Sequence, residues 1–194
     1  MKAKNCVVLH GRPGEDEYYD LNQPSASNAH WLGWLQNSLL VNDIHCSTPE
    51  VPFAFEPQYE LWKKEFERYD IGKDTILVGH STGAGFIVRW LSQNKDVEVY
   101  KVILVGPYVD PFHEIKEDFF DFEYDRKLAQ QTKCGITIFH SDDDQESVQV
   151  SAKKLLEEID DIKYVEFKNY GHFCFEDMKT IEFPELLKEC LEND

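Results

Sequence analysis

The run Thr75-Ile76-Leu77-Val78 has strand character and ends in Gly79-His80-Ser81-Thr82-Gly83, a Gly-x-Ser-x-Gly pattern followed by an amphipathic segment from Phe86 to Gln93. A strand, a sharp turn and a helix in that order present a serine hydroxyl at the carboxyl end of the strand. The turn strains the serine backbone and leaves no room for bulky neighbours, which Gly79 and Gly83 satisfy. Gly85 lets the helix pack closely on the sheet. The chemistry such a serine can do is attack on a carbonyl carbon, beside helix N–H groups that have no intrahelical acceptor.

A hydroxyl is a weak nucleophile near neutral pH, so Ser81 needs a base within hydrogen-bond reach and a third group that orients the base. On a sheet of this kind the chain order is serine, acid, histidine, each just beyond a strand. His172, in Asn169-Tyr170-Gly171-His172-Phe173, combines that order with a post-strand position and a preceding glycine. The other six histidines do not: His10 and His140 end strands, His80 lies in the serine turn, and His30, His45 and His113 precede the expected acid. The acid lies in Phe139-His140-Ser141-Asp142-Asp143-Asp144-Gln145, where three adjacent aspartates compete with roles as solvated loop charges and as a helix N-cap. An oxyanion needs two backbone donors. Thr82 supplies one, and the loop His10-Gly11-Arg12-Pro13-Gly14 the other, from Arg12 or Gly11, because Pro13 has no N–H. One such donor is worth roughly a hundred- to a thousand-fold in turnover. Gly11, His80, Phe112 and Phe173 are the candidates for contact with a substrate.

These residues need strands that end together. Strands are predicted at Asn5–His10, Asp43–Cys46, Thr75–Val78, Tyr100–Val105, Gly135–His140 and Lys163–Phe167. Helices are predicted at Asn28–Leu40, Pro57–Tyr69, Gly83–Gln93, about Ser147–Ile159 and about Phe183–Leu191. The alternation, with several strands apolar on both faces, predicts an α/β fold with a mostly parallel sheet of about six strands and helices on both faces. One domain over residues 1–194 is expected, with no repeat and no linker. Pro107–Tyr124 breaks the rhythm with Pro111 and the aromatics Phe112, Phe119, Phe120, Phe122 and Tyr124. Two readings stand: the rings fill the core, or they form a small cap at about 107–124 that walls a pocket.

Thirty-seven acidic and twenty basic residues give a formal charge of −17. That charge argues against binding nucleic acid or anionic membrane surfaces. Five scattered cysteines without a Cys-x-x-Cys pair argue against a zinc ribbon or a dithiol redox site, and point to reduced thiols in the cytoplasm. The N-terminus runs directly into a strand, so neither a signal peptide nor a membrane span is expected.

Taken together, the His-Gly loop after the first strand, Trp31-Leu32-Gly33-Trp34, the Gly-His-Ser-x-Gly turn, the Asp-Asp loop after Phe139 and Gly171-His172-Phe173 resemble an α/β-hydrolase. More closely, they resemble the small serine hydrolases of the retinoblastoma-binding protein nine family. The resemblance runs over nearly the whole chain and implies a three-layer fold. It also implies loss of the two antiparallel strands that open larger members of the superfamily. In that family an Asp-Asp pair commonly precedes proline and its second aspartate is catalytic; aligned on Phe139 this is Asp144, with Asp143 as runner-up. Gln145 stands where the family has proline, and an extra aspartate precedes the pair. The resemblance further implies hydrolysis of small acyl substrates, with no metal and no organic cofactor; esters come first because their leaving groups depart readily. Thioesters and small amides are the alternatives within that mechanism. A non-catalytic protein-interaction module on the same fold is the alternative outside it.

Overall fold

The computed structural model describes residues 2–115 and 118–192. Six strands form one sheet: β1 (Asn5–Leu9), β2 (His45–Ser47), β3 (Thr75–His80), β4 (Lys101–Val105), β5 (Ile136–Ser141) and β6 (Ile162–Phe167). Their spatial order is β2-β1-β3-β4-β5-β6, and every pairing is parallel. All the carboxyl ends therefore lie along one edge, with β1 and β4 flanking β3.

Alternation along each strand sorts side chains to two apolar layers. Val7, Leu9, Leu77, Val102 and Leu104 pack with α3 (Tyr59–Phe66), α4 (Thr82–Gln93) and α5 (Glu146–Glu158). Cys6, Val8, Ile76, Val78 and Ile103 pack with α2 (Leu32–Leu40) and α7 (Pro184–Leu191) on the other face. Two short helices, α1 (Glu15–Tyr19) and α6 (Phe175–Met178), lie in the loops at the carboxyl edge. This is a three-layer α/β-hydrolase fold. Helix α4, which follows the serine turn, is buried at every residue except Gln93.

The elements follow the sequence pattern with local departures. The helix expected over Asn28–Leu40 begins only at Leu32, because His30 adopts a left-handed backbone (φ 54°) between it and a 3₁₀ turn at Ala26–Asn28. The helix expected over Pro57–Tyr69 is confined to Tyr59–Phe66, with Gln58 extended before it. Helices α1 and α6 bury no residue, so neither leaves an apolar period in the sequence.

Candidate active site

Ser81 joins β3 to α4 with φ 55° and ψ −120°, a conformation rare for a residue with a side chain. Neighbouring backbone holds it there. The Ser81 N–H donates to the Val105 carbonyl (2.9 Å), and its own carbonyl accepts from Ala84 (3.0 Å) and Tyr108 (3.1 Å). A Cβ on Gly79 would lie 2.5 Å from Ala84 Cα, and one on Gly83 would overlap the His10 carbonyl oxygen. Those two glycines are therefore a steric condition for α4 to start directly over β1 and β3. The loop after β1 also passes close, though less so: a Cβ on Gly11 would lie 3.0 Å from Ser81 Cβ and 3.4 Å from His80 Nδ1. Thr82 opens α4, so its N–H has no acceptor within the helix.

His172 sits in the loop after β6. Its Nδ1–H donates to both carboxylate oxygens of Asp144, at 3.0 and 3.1 Å; a carboxylate only accepts, which assigns the proton to Nδ1. The Asp144 side chain is fully buried and also accepts from the Gln145 N–H (2.7 Å). The three aspartates that the sequence left in competition divide the loop among them. Asp142 accepts from the Asn169 N–H (3.1 Å), Asp143 from the Gly171 N–H (2.9 Å), and Asp144 from the ring of His172. Ser141 Oγ donates to Asp143 (2.6 Å) and accepts from the Tyr170 N–H (3.0 Å).

That grip matters because Asn169, Gly171 and Phe173 all have positive φ. Gly171 has a second constraint: a Cβ there would run into the Asp177 side chain. The same Asp177 accepts from the His172 N–H at 2.9 Å. From the opposite side, His80 Nε2–H donates to the His172 carbonyl (2.8 Å), and Trp31 Nε1–H donates to the Phe173 carbonyl (3.1 Å). No periodicity or motif announced these two tethers.

Ser81, His172, Gly11, Arg12 and His80 line one cleft of about 260 Å³ at the carboxyl edge of the sheet. Ala26, Ala29, Leu32 and Pro13 supply its apolar lining, and Glu17, His30, Cys174 and Glu176 its polar rim. Two aromatics expected there are elsewhere. Phe173 is 0% exposed and stacks on Phe183 (5.6 Å between centroids), because its left-handed backbone turns the ring into the core beneath His172. Phe112 is 49% exposed and outside the cleft lining. Phe119 is fully buried among Tyr59, Trp62 and Phe86, and Phe120, Phe122 and Tyr124 pack against the same cluster. Phe119, Phe120, Phe122 and Tyr124 thus pack on the core beside α4, Phe112 faces solvent, and none of them lines the Ser81 cleft; Lys116 and Glu117 of that segment lie outside the described residues.

The electrostatics separate the histidines. Burial, then the neighbouring His172 and His30, pushes His80 well below the ordinary imidazole range, so it is neutral and its Nε2–H is free to donate to the His172 carbonyl. Burial also lowers His10, whose Nδ1–H donates to the Gly11 carbonyl (2.7 Å) while Nε2 accepts from the Val51 N–H (3.0 Å). With both nitrogens engaged, His10 fixes the loop that carries Gly11 and Arg12. Burial and then Asp177, Glu176, Asp144 and Glu17 raise the Cys174 thiol to about 12. The carboxylates give the rim a negative field.

The chain belongs to the family described as serine hydrolase, whose model matches residues 23–186. Among solved structures it is similar to the ydeN gene product of Bacillus subtilis, with 23% identity and a TM-score of 0.76 over 97% of this chain and 96% of that one. It is also similar to a ydeN-like protein from Pectobacterium atrosepticum, with 18% identity and a TM-score of 0.64 over 99% and 90% of the two chains. A monoacylglycerol lipase of Paleococcus ferrophilus matches with 14% identity and a TM-score of 0.63 over 100% and 96%. At these identities the likeness is one of fold. No curated protein sequence matches the chain. Among the described residues, no helix is long and apolar enough to cross a membrane.

Proposed function

We propose that the chain hydrolyses small acyl esters through an acyl-enzyme on Ser81, with His172 as base and Asp144 as the group that orients it. The observation that carries this reading is the Asp144–His172 hydrogen bond at 3.0 Å, on the same cleft as a serine held at φ 55°. Ser81 Oγ attacks the carbonyl carbon as His172 Nε2 takes its proton, and Asp144 stabilises the imidazolium. The Thr82 and Arg12 amides donate to the developing oxyanion. His172 then protonates the departing alcohol and, neutral again, activates water to release the acid.

The cleft volume of about 260 Å³ lies just below the usual range of ligand pockets, which favours short acyl groups. Glu17 and Glu176 at the rim disfavour anionic substrates. The similarity to the retinoblastoma-binding protein nine group supports the same chemistry, and the five unpaired thiols agree with a cytoplasmic setting. The test is turnover of p-nitrophenyl esters of increasing chain length beside acyl-CoAs and aminoacyl anilides. The reading expects short esters to turn over fastest and Ser81→Ala to abolish it; ester turnover that survives Ser81→Ala contradicts it.

A further inference from the structure

We propose that His30, Cys174 and Glu176 bind a zinc ion at the rim of the cleft and that the bound ion closes Ser81 to substrate. The three side chains come from two walls of the cleft. His30 stands before α2, whereas Cys174 and Glu176 stand at the start of α6. One donor atom from each lies within 4.8 Å of the others, and His30 Nδ1 is 3.9 Å from Glu176 Oε2. Zinc bonds of about 2.1 Å to nitrogen or oxygen and about 2.3 Å to sulfur span roughly 3.4–3.7 Å between tetrahedral ligands. A contraction of at most roughly 1.4 Å reaches that span, and the Glu176 side chain, 76% exposed, is free to contribute to it.

The surroundings favour a cation of this kind. Glu17, Glu176, Asp177 and Asp144 put a negative field on the Cys174 sulfur, which a dication neutralises. A thiol and an imidazole among the ligands select zinc over magnesium or calcium. The His30 ring is already placed, edge-on to His80 (5.9 Å) and accepting at Nδ1 from the Phe175 N–H (3.1 Å). On binding, that lone pair passes to the metal and the Phe175 N–H, in the first turn of α6, turns to water. The Cys174 thiol gives its proton to solvent as the sulfur–zinc bond forms. Three protein ligands leave a fourth position for water, and the ion bridges the two walls of the cleft that holds Ser81 and His172.

Binding is measured on the whole chain by Zn²⁺ titration against a chromophoric chelator, and by Co²⁺ as a spectroscopic substitute. One ion per chain and a thiolate-to-cobalt charge-transfer band are expected, and Cys174→Ser removes the band. His30→Asn, which tolerates the left-handed backbone, and Glu176→Gln each weaken binding about tenfold or more, since an outer partner alone is worth roughly ten- to a hundred-fold. Closure rests on the catalytic reading: stoichiometric Zn²⁺ slows fluorophosphonate labelling of Ser81 in the native chain but not in Cys174→Ser. A cobalt band that survives Cys174→Ser, or affinity unchanged in all three variants, overturns the site. Labelling that proceeds equally fast with zinc bound overturns closure. A chain that shows the band but is not labelled even without metal supports the site and refutes the catalytic reading, so the two failures are distinct.

Discussion

The ring of His80 donates from Nε2 to the backbone carbonyl of His172 across 2.8 Å, with the two ring centroids 4.9 Å apart. The residue before the proposed nucleophile thus holds the main chain of its proposed base, and the serine turn and the histidine loop are one mechanical unit. Leucine can fill the space of His80 but cannot donate; glutamine can do both. His80→Leu is expected to lower kcat for ester hydrolysis by roughly ten- to a hundred-fold with KM little changed, the scale of an ångström-level misplacement. His80→Gln should recover most of it. Equal kcat in the two variants, both folded by circular dichroism, would remove the positioning role.

Asp143 is held below the ordinary carboxylate range, first by the Ser141 hydroxyl and then by the Gly171 N–H. A depressed folded pKa means that the grip on the His172 loop is complete above the unfolded value and is lost as pH falls through the folded one. The amide proton of Gly171, followed by NMR, should therefore titrate with a midpoint below that of a free aspartate, and Asp143→Asn should abolish the titration. A midpoint at or above the free value would count against this anchor.

On the far side of the sheet, Glu189 is buried between Lys101 (3.3 Å) and Lys163 (2.8 Å) and accepts from Thr137 (2.8 Å). Burial opposes its charge, yet Lys163, Thr137 and Lys101 prevail and keep its pKa below the ordinary glutamate range. Lys101 is buried as well and donates to the Glu189 and Glu192 carbonyls at the end of α7. Glu189→Ala leaves that buried ammonium with carbonyl acceptors but no counter-charge and is expected to cost about 3–5 kcal/mol in urea unfolding at neutral pH. The native chain should lose this advantage as pH falls through the depressed pKa, so the difference narrows in acid. A difference under about 1 kcal/mol at neutral pH, the scale of a surface pair, would show the network to be dispensable.

Much of this architecture could be read from residue types, because strand-ending chemistry needs particular side chains in a fixed chain order. Ser81, the Gly11–Arg12 loop and His172 were singled out that way, and the fold brings them to one cleft. Which of three adjacent aspartates meets the ring could not be read from their spacing, since only the path of the turn after β5 decides it. Phe112 and Phe173 were misplaced for a related reason: an aromatic that walls a pocket and one that fills a core look alike in sequence. The sign of φ at Phe173, invisible in composition, sent its ring inward. Helices α1 and α6 escaped because they bury nothing. The His80 and Trp31 tethers join residues 92 and 142 positions apart, beyond any local pattern.

The proposed reaction requires Ser81 to be a nucleophile activated by His172. The direct measurement is fluorophosphonate labelling of the purified chain, with the modified peptide located by mass spectrometry. A single adduct on Ser81 is expected, absent in Ser81→Ala and formed at least about a hundred-fold more slowly in His172→Ala, the lower end of what a positioned base contributes. A folded chain that takes no label, or one labelled as fast in His172→Ala as in the native sequence, would contradict it.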